Sequence, residues 1–134
     1  MLATVIVKSV IINHKLKKAL LIRRSSDDLG GGTWESAGGK LEEGETLEEG
    51  IAREVFEETG LKTIPEKFLY ASVDKHDDQR LIFVVYLCHT EETEVALSEE
   101  HEESRWVDKS ECRSLLKGGI AEDYIKHGVY EIEW

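Results

Sequence analysis

The chain contains several short apolar runs, rich in valine and isoleucine, that are separated by polar turns. Runs of this kind predict strands, here at residues 2–12, about 18–23, 67–74, 80–89 and 104–107. The polar turn at 13–15 makes a hairpin of the first two strands, and Pro65 is expected to mark a break before the third. A helical period appears at residues 109–117 and 120–127. The pattern therefore predicts a mixed α/β chain.

Residues 47–59 have the pattern of an amphipathic helix with recognisable ends. Thr46 followed three residues later by Glu49 has the form of a capping box, which begins a helix. Gly60 suits the left-handed position just after the last turn. One side of the helix is apolar and is formed by Leu47, Ile51, Ala52 and Val55. We therefore expect that side to pack against the core.

Three carboxylates project from another side of this helix near its end. Glu54, Glu57 and Glu58 stand at positions i, i+3 and i+4, which are neighbours on a helix surface. Like charges at this spacing repel by roughly 0.2–0.5 kcal/mol per pair, so the cluster is costly without a cation. Mg²⁺ prefers oxygen ligands and keeps positions for water and for substrate phosphates. The alternative is a solvated acidic helix, which charge runs usually form.

A longer pattern surrounds these carboxylates and favours the metal site. Its fixed positions are Gly39, Glu45, Arg53, Glu54, Val55, Glu57, Glu58, Gly60 and Leu61. Nine constrained positions within 23 residues resemble the Nudix box at every position. The resemblance implies the Nudix fold, an α/β/α sandwich around a mixed sheet. It also implies an enzyme that hydrolyses a nucleoside diphosphate linked to another moiety X, with Mg²⁺ or Mn²⁺ as the cofactor.

The resemblance also implies a role for individual residues. The metal ligands would be Glu54, Glu57 and Glu58, together with the carbonyl oxygen of Gly38. Arg53 would orient Glu54, and Glu45 would support the site without binding the metal itself. Adjacent glycines also let the backbone approach a metal or a phosphate closely. Ala37 stands where the family usually has proline, which affects the turn but removes no ligand.

The segment from Arg24 to Lys40 resembles the MutT type of Nudix enzyme, in which a basic residue here meets the substrate phosphates. Arg24 is the candidate, and the alternative is a solvated strand end. Lys40 is placed to meet a phosphate, or is an ordinary surface lysine. Trp34 is a candidate for stacking on a base, although a single tryptophan is more often a core or rim residue.

A polar segment at 90–103 carries seven glutamates. Family members often place an additional catalytic acid in a loop here, and Glu100, Glu102 and Glu103 are the candidates. Glu54 is the competing general base, but a carboxylate tied to cations has a lowered pKa and is a weakened base. A flexible loop acid is freer, and Glu100 is favoured because it precedes a histidine. The alternative is a solvated acidic connector.

Composition restricts the cellular context and the partners. The 134 residues fit one domain, and a net charge of −11 argues against a nucleic-acid polymer as partner. Two cysteines without metal-ligand spacing indicate a reduced, cytoplasmic protein, and the start of the chain has no signal-peptide pattern. No apolar run is long enough to span a bilayer, so no membrane partner is expected. Homodimers are frequent in the family, which keeps a homodimer open.

The preferred function is that of a MutT-like pyrophosphatase, which converts a nucleoside triphosphate to a monophosphate and pyrophosphate. An oxidised purine nucleotide such as 8-oxo-dGTP is one candidate substrate. ADP-ribose, other nucleotide sugars and dinucleotides remain alternatives, although the positions that often mark two such subfamilies hold His76 and Asp78 here. An alternative of another class is a Nudix module that binds nucleotides without cleaving them.

Overall fold

The fold is built from seven strands and three helices in the part of the chain that the computed structural model describes, residues 2–26 and 31–134. The strands are β1 (Ala3–Asn13), β2 (Lys18–Arg24), β3 (Trp34–Glu35), β4 (Gly38–Lys40), β5 (Ile64–His76), β6 (Gln79–His89) and β7 (His101–Val107). The helices are α1 (Leu47–Thr59), α2 (Lys109–Leu115) and α3 (Gly118–Lys126), followed by a single 3₁₀ turn at Val129–Glu131.

All seven strands join one mixed sheet. The order is β3-β2-β1-β6-β5, while β4 pairs with β1 and β7 pairs with β2. The two long central strands β1 and β6 run parallel, from Ala3 opposite Arg80 to Ile12 opposite His89. The other pairs are antiparallel. β1 therefore has neighbours along its whole length, with β4 beside its first half and β2 beside its last residues.

Helices cover both faces of the sheet. Val7 and Ile11 of β1 pack in one core with α1, while Val10 and Ile12 pack in the other with α2 and α3. A strand buried on both faces needs apolar residues at successive positions, which explains the continuous valine and isoleucine run. The predicted α/β/α sandwich around a mixed sheet is confirmed.

Two predicted boundaries were wrong. Pro65 does not break the chain before a strand, because β5 begins at Ile64 and Pro65 lies opposite Cys88. β5 is the edge of the sheet and its register shifts just after Pro65, and both conditions tolerate a residue without an N–H. β7 begins at His101, three residues earlier than expected, because the strand continues its pairing along β2.

The helices agree with the prediction more closely. α1 covers the predicted residues 47–59, and α2 and α3 each lie within two residues of the expected bounds. None of the helices in the described ranges combines the length and the hydropathy that a bilayer span requires.

Candidate active site

Local capping interactions fix both ends of α1. The Thr46 side chain accepts a hydrogen bond from the Glu49 N–H at 3.1 Å, and the Glu49 carboxylate accepts one from the Thr46 N–H at 2.9 Å. Gly60 is left-handed, with φ of 73°, and its N–H bonds to the Phe56 carbonyl. A cap of this kind stabilises a helix by about 1 kcal/mol. The direction in which the glutamates of α1 project is therefore well defined.

Arg53 connects the helix to the residues before it. Its guanidinium donates a bidentate pair to Glu45, with Nε–Oε2 at 2.6 Å and Nη2–Oε1 at 3.0 Å. It also donates to Glu54 Oε1 at 3.0 Å, to Glu57 Oε2 at 3.2 Å and to the Lys40 carbonyl at 3.1 Å. The hydrogen bond from Arg53 lowers the pKa of Glu45. Bidentate pairing fixes orientation as well as distance, so Arg53 holds Glu54 in one position against β4.

The two glycines of β4 allow its backbone to touch the carboxylates of α1. A Cβ atom on Gly39 would lie 2.6 Å from Glu54 Oε2, and one on Gly38 would overlap the Val7 carbonyl oxygen. The Gly38 N–H donates to Glu58 Oε1 at 2.7 Å. A side chain at Gly39 would therefore push β4 away from Glu54, and one at Gly38 would push it away from β1.

The three box glutamates and the loop acid Glu100 share one cleft. Its volume is about 430 Å³, and Ser98 and Glu99 complete its lining. Burial raises the pKa of Glu54, and the carboxylates of Glu57 and Glu100 raise it further against the opposing effect of Arg53. Burial raises the pKa of Glu58 to about 7. Ionising these groups together is unfavourable in the protein alone, and a bound cation would offset that cost.

The donor set of this cleft fits a divalent cation. Glu58, Glu100 and His101 offer ligand atoms that all lie within 4.8 Å of one another. His101 Nδ1 is buried, has no hydrogen-bond partner among the described residues and lies 3.9 Å from Glu58 Oε2. Carboxylate oxygens suit Mg²⁺ and Mn²⁺, and an imidazole nitrogen extends the range to other metals. The unpartnered nitrogen points to a ligand that the protein itself does not supply.

Behind the cleft lies a buried ionic network that the sequence did not predict. Glu35 accepts a hydrogen bond from His101 Nε2 at 2.8 Å and pairs with Lys8 Nζ at 3.2 Å and with Arg24 Nη1 at 3.3 Å. Burial acts to raise the pKa of Glu35, but His101, Lys8 and Arg24 outweigh it and lower the pKa to about 2. An ionised carboxylate only accepts, so His101 Nε2 carries the proton in this hydrogen bond.

A second cleft, of about 550 Å³, borders this network. Lys8 and Glu35 form part of its lining. Aromatic side chains contribute as well, namely Trp34, Tyr70 and Phe83, and the carboxylate of Asp123 lies among them. Glu35 lines this cleft and also bonds His101, whose other ring nitrogen lies 3.9 Å from Glu58 of the acidic cleft. Glu35 and His101 therefore connect the lining of one cleft to the lining of the other.

The remaining predicted residues occupy three different environments. Arg24 reaches Glu35, so its guanidinium belongs to the buried network rather than to a solvated strand end. Trp34 is partly buried, and the Arg105 guanidinium lies 5.2 Å from the centre of its ring. Lys40 is exposed at the end of β4, and its carbonyl accepts a bond from Arg53.

Two of the candidate loop acids lie outside the acidic cleft. Glu102 and Glu103 belong to β7 and pair with Arg23 at 3.2 and 3.1 Å, so they are not part of a flexible loop. Glu100 lies in the turn before β7, and its carbonyl accepts a hydrogen bond from the Ser25 N–H at 2.9 Å. Of the three, only Glu100 lines the cleft.

Comparison with known proteins agrees with this geometry. The family model described as the NUDIX domain matches residues 3–126. The chain belongs to the Nudix family. The predicted assignment to this family of hydrolases, with MutT-like relatives, is confirmed.

Individual Nudix relatives differ in their named substrates. The nucleoside triphosphatase NudI of Escherichia fergusonii is 30% identical over 103 residues, which cover 66% of this chain and 72% of that protein. The ADP-ribose pyrophosphatase of Methanocaldococcus jannaschii is 30% identical over 119 residues, which cover 86% of this chain and 70% of that protein. Another relative is 39% identical over 71 residues, and this chain spans only 42% of its length.

A solved structure extends the likeness to the whole fold. The crystal structure of the MutT protein from Methanosarcina mazei superposes with a TM-score of 0.84 at 28% identity. The match covers 98% of this chain and 96% of that one. The Nudix fold of the chain is thus established independently of the box.

Proposed function

We propose that this Nudix protein is a MutT-like pyrophosphatase that converts a nucleoside triphosphate to a monophosphate and pyrophosphate. The observation that carries the proposal is the pair of clefts that are connected through Glu35, His101 and Glu58. One cleft has the acids that a cation and a phosphate chain require. The other has the volume and aromatic lining typical of a nucleoside site, since small-molecule pockets are usually about 300–1,000 Å³.

In this proposal the box residues hold a divalent cation. Glu54, Glu57, Glu58 and the Gly38 carbonyl would be its ligands, and His101 lies close enough to Glu58 to add to them. Bound Mg²⁺ or Mn²⁺ neutralises phosphate oxygens and lowers the pKa of bound water. Arg53 keeps Glu54 in place, and Glu45 in turn keeps Arg53 in place.

Charged side chains near the Glu35 network have the chemistry that binding and hydrolysis of the substrate require. Arg24 and Lys40 are the cations proposed to meet the phosphates, and Trp34 borders the cleft proposed for the base. Asp123 offers a carboxylate that can accept adjacent N–H groups of a purine, oxidised or not. Glu100 is the proposed general base, because it lies on the cleft outside the Arg53 cluster.

Product analysis tests the proposal directly. We expect the purified protein with Mg²⁺ to release pyrophosphate from a nucleoside triphosphate, measured by chromatography of the nucleotide product and by phosphate assay with and without pyrophosphatase. Excess chelator and the Glu58→Gln variant should each abolish most of the activity. Arg24→Ala should weaken turnover of triphosphates, whereas Arg80→Ala, at an exposed position on β6, should not.

Several outcomes would contradict the proposal. Full activity in chelator or in Glu58→Gln would exclude the metal site, and orthophosphate as the first product would exclude the pyrophosphatase reaction. The second candidate, ADP-ribose hydrolysis, is favoured by the relative from M. jannaschii. A kcat/KM for ADP-ribose above that for every triphosphate tested would select it.

A further inference from the structure

Two histidines and a glutamate meet at one end of the sheet, away from the clefts. His14 lies in the turn between β1 and β2, His89 ends β6, and Glu66 lies near the start of β5. Each offers one ligand atom, and these atoms all lie within 4.8 Å of one another. The two imidazole rings are stacked, with centroids 5.0 Å apart and planes inclined by 20°. None of the three residues lines either cleft described above.

The sheet brings these residues together from distant parts of the sequence. Ile12 lies opposite His89 in the parallel pair β1–β6, so the turn that follows β1 lies beside the end of β6. The register of β5 shifts between Pro65 and Lys67, which leaves Glu66 as the extra residue. Irregularities of this kind redirect a side chain away from the regular alternation.

His89 carries an unsatisfied polar atom within this group. Its Nδ1 is fully buried and has no hydrogen-bond partner among the described residues. A buried polar atom without a partner is costly, so native proteins rarely keep one unless something else binds it. The unpartnered nitrogen is an observation independent of the clustering, and it too points to a ligand.

The chemistry of the donors differs from that of the Nudix cleft. Two imidazole nitrogens and one carboxylate oxygen form a set that zinc uses, with a fourth position left for water. Zinc–nitrogen distances of about 2.0–2.1 Å place tetrahedral ligand atoms roughly 3.3 Å apart. The ligand atoms, now within 4.8 Å of one another, would reach that spacing after side-chain rotation, and Glu66 is exposed. Mg²⁺ prefers an all-oxygen environment and is a poor match.

We propose that His14, Glu66 and His89 form a second metal site that binds Zn²⁺ or a similar transition-metal ion. The ion joins the β1–β2 turn to the β5–β6 pair. The proposal does not depend on the function assigned to the Nudix cleft.

Zinc titration in excess Mg²⁺ tests this site. The Glu58→Gln variant serves as the background, because it removes a ligand from Glu58, Glu100 and His101, the other group of potential ligands found in residues 2–26 and 31–134. We expect one Zn²⁺ per chain by calorimetry, together with a rise in Tm that Mg²⁺ does not produce. His14→Gln and Glu66→Gln, both at the surface, should each weaken zinc binding at least tenfold and remove the rise in Tm.

His76→Gln is the matched control. His76 is an exposed histidine in the β5–β6 hairpin, so this variant should bind zinc as the background does. Absorption of bound Co²⁺ gives a second readout, which should change with His14→Gln and not with His76→Gln. Equal zinc affinity in His14→Gln and in the background, or no zinc binding in the background, would overturn the proposal.

Discussion

Glu58 and Glu100 share a cleft but differ in their surroundings. Glu58 is 6% exposed and accepts the Gly38 N–H, whereas Glu100 is exposed in the turn before β7. A buried carboxylate at the centre of the donor set suits a ligand. An exposed carboxylate at the rim of the cleft is free to take a proton from water.

Two substitutions separate these roles. Glu100→Gln should lower kcat by about 10²–10⁴ with the metal affinity retained, because only the proton acceptor is lost. Glu58→Gln should lower both kcat and the affinity for Mn²⁺, measured by titration. Glu102→Gln is the matched control, because Glu102 is a nearby acid that pairs with Arg23. Near-parental turnover by Glu100→Gln would move the search for the base to Glu54.

Residues whose roles depend on local spacing were predictable, and residues joined only by the sheet were not. Arg53 and Glu54 belong to a contiguous pattern, and the structure places both at the cleft. Glu35 stands 27 residues after Lys8 and 66 residues before His101, and only strand pairing brings the three side chains together. A lone lysine within the apolar run of β1 was one trace of this network in the sequence.

Among the elements, α1 was predictable to the residue because its capping box and its Gly60 cap are local. β3 and β4 were not predicted, because strands of two and three residues show no period. They form through pairing with β2 and β1. The contact between β4 and α1 therefore depends on tertiary structure.

Two glycine-to-alanine substitutions test the contact between β4 and α1. Gly39→Ala should lower the free energy of unfolding by about 1–3 kcal/mol and reduce activity, because its methyl group would displace the Glu54 carboxylate. Gly119→Ala should instead raise the stability by about 0.4–1 kcal/mol, since Gly119 is helical and has open space at its Cβ. Urea unfolding measures both, and equal stabilities would argue against close packing of β4 on α1.

The protein as a whole is negatively charged, yet the carboxylate of Glu35 remains ionised in its interior. The net charge is −11, and Glu35 remains ionised because Lys8, Arg24 and His101 surround it. Its pKa of about 2 in the folded protein lies below the ordinary 4.5. Folding is therefore stabilised by ionised Glu35 above pH 4.5, and this contribution is lost as the pH falls towards 2.

The pH dependence of stability should show this contribution. We expect Glu35→Gln to be less stable than the parent by roughly 1–3 kcal/mol above pH 4.5, with the difference shrinking as the pH approaches 2. Urea unfolding at a series of pH values measures it. Glu43→Gln, at an exposed carboxylate, should stay within about 0.5 kcal/mol of the parent throughout. A difference for Glu35→Gln that does not vary with pH would contradict the ionic network.

The irregular backbone of β5 also affects how copies of the protein meet. β5 forms an edge of the sheet and exposes the apolar side chains of Ile64, Phe68 and Val73. A long, flat edge of this kind would be a template for adding strands from other molecules. Pro65 offers no N–H, and the register shifts twice between Pro65 and Tyr70. These interruptions protect the chain from edge-to-edge aggregation, while β5 stays paired with β6 from Ile64 to His76 apart from Glu66 and Leu69.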